Sequence, residues 1–296
     1  MIKHISVLAN ETIKYLAPSK NENFIDATCG LGGHTKLILQ KNGPEGKVLA
    51  IDQDVEAIEI AKKNLKNFGK RVDFKKSNFS ELGLIIRQWP VERVDGILFD
   101  LGVSSYQLEK PERGFSFLRE GPLDMRMSGE NARISAKDIV NYWDERKLKE
   151  IFRKYGEEPY GGKIAHAIVK ARQQKPISTT TELVEVIKRA TPPKYRADLE
   201  KHFATRVFQA LRIATNDELK VLENGLKQAV QVLSSGGRIA VISFHSLEDR
   251  TVKNFFLENP SLEILTNKPI VASDQEVESN PRARSAKLRV AKKIEN

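Results

Sequence analysis

The chain has 296 residues, with 49 Lys+Arg against 39 Asp+Glu and a formal net charge of +10. At 40% hydrophobic and 30% charged it suits a folded globular protein, which excludes a disordered chain. No apolar run approaches the ~18 residues of a membrane span and the N-terminal stretch lacks the apolar segment of a secretory leader, so a cytoplasmic protein is expected.

The predicted elements alternate. Phe24-Ile-Asp-Ala27 reads as a strand, followed by a glycine-rich loop and a helix over 34–41. Gly43-Pro-Glu-Gly46 is a turn, and Val48-Leu-Ala-Ile51 is a second strand ending at Asp52. Val55, Ile58, Ala61 and Leu65 recur at helical spacing. A strand over 72–74, a helix over 82–89 and a strand over 96–99 ending at Asp100 continue the pattern. Such alternation predicts a doubly wound, mostly parallel sheet. From 106 to 201 helix starts replace strands: Ser135-Ala-Lys-Asp138 and Thr179-Thr-Thr-Glu182 have the form of capping boxes. Thr191-Pro-Pro-Lys-Tyr195 reads as a turn. The alternation then resumes, with Asn216 capping a helix to 233, a turn over 234–237, a strand over 238–243, a helix over 247–257 and a last strand over 286–291. The expected organisation is a sheet core over 1–105 and 206–296, with an inserted all-helical domain over 106–205.

Positive charge is concentrated in two places. Residues 163–206 carry a net of +6 and residues 280–296 a net of +5, on an otherwise near-neutral chain. Two basic zones suit a polyphosphate partner such as nucleic acid, although solvated helix faces give the same pattern. The single cysteine, Cys29, excludes an internal disulfide and any CxxC metal or redox site. The histidines at 4, 34, 166 and 202 are too scattered for metal ligation, so no metal is expected.

Asp26-Ala-Thr-Cys-Gly30-Leu-Gly32-Gly33-His34 joins the first strand to the first helix. Glycines there let backbone approach a ligand, and a helix N-terminus offers unpaired N–H groups. The dinucleotide spacing G-x-G-x-x-G is absent, because Thr35 stands where its third glycine belongs. Asp52, at the tip of the second strand, is placed to accept bonds from the two hydroxyls of a ribose. A nucleoside cofactor follows from loop, strand order and acid together.

That order resembles the class I S-adenosylmethionine-dependent methyltransferases, with Thr28 in place of the usual first glycine of their loop. Longer strings resemble one family: Asp100-Leu-Gly-Val-Ser-Ser-Tyr-Gln107, Glu112-Arg-Gly-Phe-Ser-Phe117, Gly121-Pro-Leu-Asp-Met-Arg-Met127, Ser243-Phe-His-Ser-Leu-Glu-Asp-Arg250 and Asn280-Pro-Arg-Ala-Arg-Ser285. They are similar to the bacterial 16S rRNA (cytosine-N4)-methyltransferases, the MraW or RsmH family, and the likeness runs from His4 to the C-terminal basic strand. The resemblance implies a class I methyltransferase fold, Rossmann-like and α/β, with S-adenosylmethionine as cofactor and 16S rRNA of the small ribosomal subunit as partner, without a membrane. It places cofactor contacts on Gly32, Gly33, His34, Asp52, Phe79, Asp100 and Gln107. Whether the protein is a monomer or a homodimer stays open.

Methylation of pyrimidine carbon 5 normally uses a cysteine nucleophile, and the only thiol lies inside the cofactor loop. An exocyclic amine needs only alignment and an acceptor for its N–H. Asp100 at the end of the fourth strand is the first candidate, with Ser104 or Ser105 as further acceptors and His245 as another catalytic candidate. Arg113 and Phe115 combine a phosphate binder with an aromatic, suited to holding a flipped base or to anchoring the insertion. Asp124, Arg126 and Arg250 are either ion pairs or substrate contacts. Two other readings compete, a nicotinamide dehydrogenase and a non-catalytic ribosome-assembly factor. Equilibrium binding of S-adenosylmethionine separates them from a methyltransferase.

Overall fold

In the computed structural model of the chain, the described residues are 5–129, 134–199 and 202–295. Five strands pair in parallel: β1 (Phe24–Asp26), β2 (Val48–Asp52), β3 (Val72–Lys76), β4 (Gly96–Asp100) and β5 (Arg238–Ser243). With β6 (Leu262–Ile264), β7 (Ile270–Val271) and β8 (Lys287–Lys293) they form an eight-stranded sheet of order β3-β2-β1-β4-β5-β8-β6, β7 also pairing with β8. Strand β8 runs antiparallel to its partners. The strand order reverses between β1 and β4. In open sheets of this kind the ligand crevice lies outside the carboxyl ends of those strands.

The chain divides into two units, one up to Gly102 and from Leu219 onward, the other Val103–Glu218. In the first, helices α1 (Ala9–Leu16), α2 (Gly33–Lys41), α3 (Val55–Asn64) and α4 (Leu82–Ile86) alternate with the early strands. The central strands are apolar throughout because both faces are covered. Ile97 and Phe99 of β4 face one core with Ile25, Leu49 and Ile51, whereas Leu98 faces the other with Phe24, Val48 and Ala50. At the sheet edge β3 carries Lys75 and Lys76, charges that discourage further strand pairing.

The second unit is helical: α5 (Ser105–Glu109), α6 (Ala136–Tyr142), α7 (Glu145–Lys154), α8 (Gly161–Gln174), α9 (Thr180–Ala190), α10 (Pro193–Ala197) and α11 (Thr205–Asn216). Among its described residues the only β pairing is an isolated bridge between Pro122 and Thr179. Both expected capping boxes form: Ser135 Oγ accepts from Asp138 N, Thr179 Oγ1 accepts from Glu182 N, and each N3 carboxylate reaches back to the cap. The expected turn at Thr191-Pro-Pro-Lys-Tyr195 instead opens α10, with proline in the first turn where its missing N–H costs nothing.

The junction to the sheet lies later than the expected 206. Helix α11 buries Val207, Phe208, Ala210 and Leu211 in the helical unit. Asn216 ends α11 instead of capping the next helix: its amide donates to the Met125 and Arg212 carbonyls and accepts from Met127 N. The chain then returns through α12 (Glu218–Val232), α13 (Ser246–Glu258) and α14 (Asp274–Ser279). None of the described helices is long and apolar enough to cross a membrane.

Candidate active site

The first unit brings five of the expected residues, Gly32, Gly33, His34, Asp52 and Asp100, to the carboxyl ends of β1, β2 and β4. Beyond β1 the loop is stitched to its neighbours by Ala27 N to Leu98 O (2.9 Å) and Cys29 N to Ile51 O (2.8 Å). The Thr28 hydroxyl accepts from Asp100 N at 2.6 Å, fixing the loop to the end of β4. Gly30 N donates to Asp52 Oδ2 at 2.8 Å, and Asp54 N donates to Asp52 Oδ1 at 2.9 Å. Gly30 and Gly32 have φ of 51° and 84°, backbone that side-chain-bearing residues rarely adopt. A Cβ on Gly32 would also stand 2.9 Å from Leu65 Cδ1. Helix α2 starts there without a side-chain cap, which leaves its first N–H groups free to meet an anion.

Acidic groups dominate the site. Asp26, only 1% exposed, accepts from the Thr35 hydroxyl at 2.6 Å, yet burial still raises its carboxyl above the usual range. Burial likewise pushes Asp52 up to about 6, against the pull of the N–H bonds from Asp54 and Gly30. His34 Nε2 lies 3.5 Å from Asp100 Oδ2. Burial alone would pull the imidazole down, but the nearby carboxylates of Asp100, Asp26 and Glu276 outweigh it and the net shift is upward. Among the described residues, His34 Nδ1 and Asp100 Oδ1 are buried without a hydrogen-bond partner. Such atoms are normally satisfied, so they mark a place for a polar ligand.

The remaining expected residues take other parts. Phe79 packs edge-on against Phe99 at 5.3 Å and fills the space left by Gly225, where a Cβ would come 2.5 Å from its ring. It therefore serves the core on one side and remains partly exposed. Ser104 caps α5, its hydroxyl accepting from Gln107 N while the Gln107 amide accepts from Ser104 N. The expected roles of Ser104 as substrate acceptor and Gln107 as cofactor contact thus compete with a capping box. The Ser105 side chain and His4 lie outside the described residues.

His245 caps α13: its Nδ1 accepts from Glu248 N at 3.3 Å and its Nε2 lies 3.2 Å from Glu248 Oε1. Nδ1 is thus taken by the cap, whereas Nε2 is buried and makes no hydrogen bond among the described residues, so the expected catalytic role of His245 competes with a helix cap. Arg113 donates to the Arg126 and Met127 carbonyls, and Phe115, 7% exposed, belongs to the helical core. Of the two earlier readings, these contacts favour anchoring the insertion over holding a base. Asp124 and Arg126 form an ion pair at 2.6 Å.

The second basic zone is also largely structural. Arg289 Nε lies 2.6 Å from Asp249 Oδ1 and Lys287 Nζ 3.3 Å from Asp249 Oδ2, while Lys293 donates to the Val230 and Leu233 carbonyls at the end of α12. The Asp249 carboxyl is buried, which would raise it, but Arg289 and Lys287 hold it below its ordinary value.

Residues 1–294 match the model of the MraW methylase family. A protein of Trichormus variabilis named ribosomal RNA small subunit methyltransferase H is 51% identical over 290 residues, covering 98% of this chain and 92% of its own. Proteins of the same name from Carboxydothermus hydrogenoformans and Thermosipho melanesiensis are 48% and 50% identical, each spanned to 98% of its length. Identity at this level over both whole chains leaves one conclusion: this chain is a member of the MraW methylase family.

Proposed function

We propose that the protein transfers a methyl group from S-adenosylmethionine to the exocyclic N4 of a cytidine in 16S rRNA of the small ribosomal subunit, in the cytoplasm. The sheet unit is the cofactor-binding core and the helical unit the substrate-recognition domain. The observation that carries the reading is the set of buried, unpartnered polar atoms on His34 and Asp100 at the β1/β4 crevice, next to an uncapped helix. The full-length likeness to rRNA small subunit methyltransferases supports the choice of substrate.

The residues present fit this cofactor, which supplies an electrophilic methyl on a positively charged sulfur. Asp52 keeps unused lone pairs beside its two N–H bonds, so it would accept from the ribose hydroxyls. The N-terminus of α2, with Gly32 and Gly33, would receive the carboxylate of the methionine part. Asp26 and Asp100 supply the negative field that a cationic ligand requires. Phe79 offers its exposed side to adenine. Asp100 has a further use, because its unpartnered Oδ1 can accept an N–H of the cytosine amine and turn the nitrogen lone pair toward the methyl. The amine becomes acidic once methylated, so no strong base is needed.

The cysteine argues for the amine. Cys29 is 5% exposed, and burial together with Asp26 and Asp52 raises its thiol well above the ordinary value. A thiol held protonated is a poor nucleophile, and the carbon-5 route has no other candidate. Equilibrium titration with S-adenosylmethionine tests the cofactor assignment. Wild-type protein should bind, and Asp52→Ala should bind at least ~10-fold more weakly through loss of a charge-assisted bond. Absence of binding by the wild type contradicts the proposal.

A further inference from the structure

Helices α7 and α8 carry eight Lys/Arg and two Glu between them. Leu148, Ile151 and Phe152 of α7 and Ile164, Ala165 and Ile168 of α8 are buried in the helical core, which sends the charges outward. Arg146, Lys149 and Arg153 recur three, four and seven residues apart and share one stripe, and Lys163, His166 and Lys170 form a matching stripe on α8. The two stripes adjoin. A Cβ on Gly162 would rest 3.6 Å from Lys149 Cε, and His166 Nδ1 lies 3.1 Å from Glu145 Oε2. Arg146, Lys149, Glu150, Arg153 and Lys154 line a shallow groove on this face.

Apart from His166, which meets Glu145, most cations of this face lack an internal counter-ion among the described residues. Among the described residues, the side chains of Arg146, Lys147, Lys149, Arg153 and Lys170 make no ion pair or hydrogen bond. That contrasts with residues 280–296, where Lys287, Arg289 and Lys293 are already engaged. Neither helix exposes a large apolar side chain, so the face lacks the apolar anchors on which protein interfaces depend.

We propose that the α7–α8 face docks the phosphodiester backbone of the substrate RNA, an inference that rests on the function proposed above. Dense, unpaired, solvated cations without base-reading or apolar groups fit a repeating anion, and they position RNA without selecting its sequence. The face lies mostly outside the basic zone visible in the sequence, because α7 precedes residue 163 and its two glutamates dilute the linear charge count.

The test uses the full chain with Arg146→Ala, Lys149→Ala and Arg153→Ala combined, and a 16S rRNA fragment as probe, titrated by fluorescence anisotropy between 50 and 300 mM KCl. Affinity at 150 mM should fall ~10-fold or more, and the slope of log affinity against log salt should flatten by about 2 to 3, at ~0.7–0.9 per lost phosphate contact. S-adenosylmethionine affinity and Tm should stay at wild-type values, which reports that the variant is folded. A control with Lys63→Ala, Lys66→Ala and Lys70→Ala removes the same charge from an exposed part of the sheet unit and should leave the slope unaltered.

Equal flattening by both variants, or no change in the first, overturns the docking face. Slower methyl transfer to ribosomal particles with unchanged affinity for naked RNA assigns the face to a ribosomal protein and overturns it too. If the wild type methylates RNA and the triple variant matches it, only the docking face is lost. If the wild type methylates no RNA, the proposed function fails and takes this inference with it.

Discussion

Thr28 stands where the methyltransferase loop pattern has a glycine, and its hydroxyl accepts from the backbone of Asp100 at 2.6 Å. A departure from the motif is therefore a fastening between loop and β4, which no spacing argument reveals. The place of Asp100 at a strand end was legible, whereas the local bonds that Ser104, Arg113 and His245 make were not. Each has a polar side chain able to serve a helix cap or an orphan carbonyl as readily as a ligand, and only the fold decides which. For Asp100→Asn, size and one acceptor oxygen persist while the charge is lost. If Asp100 chiefly aligns the amine, single-turnover rate falls ~10²–10⁴-fold with cofactor affinity little changed. The neighbouring His34 and the negative field favour a larger share of cofactor binding, so affinity should fall and much of the rate should return at saturating cofactor. Wild-type values for both quantities would remove Asp100 from the site.

Asp52 adds a pH dependence at the same scale. Its carboxyl is pushed up to about 6, and the ribose bonds proposed for it require the ionised form. Affinity for S-adenosylmethionine should hold above pH 7 and weaken by up to ~10-fold per unit below 6. Asp52→Asn removes that group from the titration while leaving His34 in place. Calorimetric titrations from pH 5 to 8 on both proteins check this, and an equally steep profile in the variant would assign the effect elsewhere.

At the scale of elements, the first hundred residues were readable because parallel strands covered on both faces must be continuous apolar runs, and the intervening helices are amphipathic. Strands β6 and β7 and helices α1 and α14 were not read. They are short, and β6 and β7 owe their place to pairing with β8 and not to a local pattern. The last strand was expected on its apolar run, but Asp249 beneath Lys287 and Arg289 explains why so many cations sit in it. The turn into α2 gives a direct test of loop geometry. Gly32→Ala must hold a φ of 84° and place its Cβ 2.9 Å from the buried Leu65 side chain. The left-handed backbone alone costs about 1–2 kcal/mol, so Tm should drop by several degrees with weakened cofactor binding. Unchanged Tm and affinity would mean that the loop relaxes freely and that its glycine is not needed for close approach.

For the whole molecule, a sheet unit interrupted by a helical one was legible because strand signals stop and resume along the chain. The second junction was placed too early, since α11 is amphipathic and fits either unit by pattern alone. Its side chains decide the matter by packing with α6 and α7. The positions of the acids and glycines at the strand ends could be read in advance, while the adjacency of the α7 and α8 cations needed two helices brought side by side. The most direct measurement is single-turnover methyl transfer from isotopically labelled S-adenosylmethionine to unmodified small ribosomal subunits and to naked 16S rRNA, with the product mapped by mass spectrometry. The account predicts one methyl group per RNA, on the exocyclic N4 of a single cytidine. A label on ring carbon 5, on ribose, or on no RNA at all would contradict it.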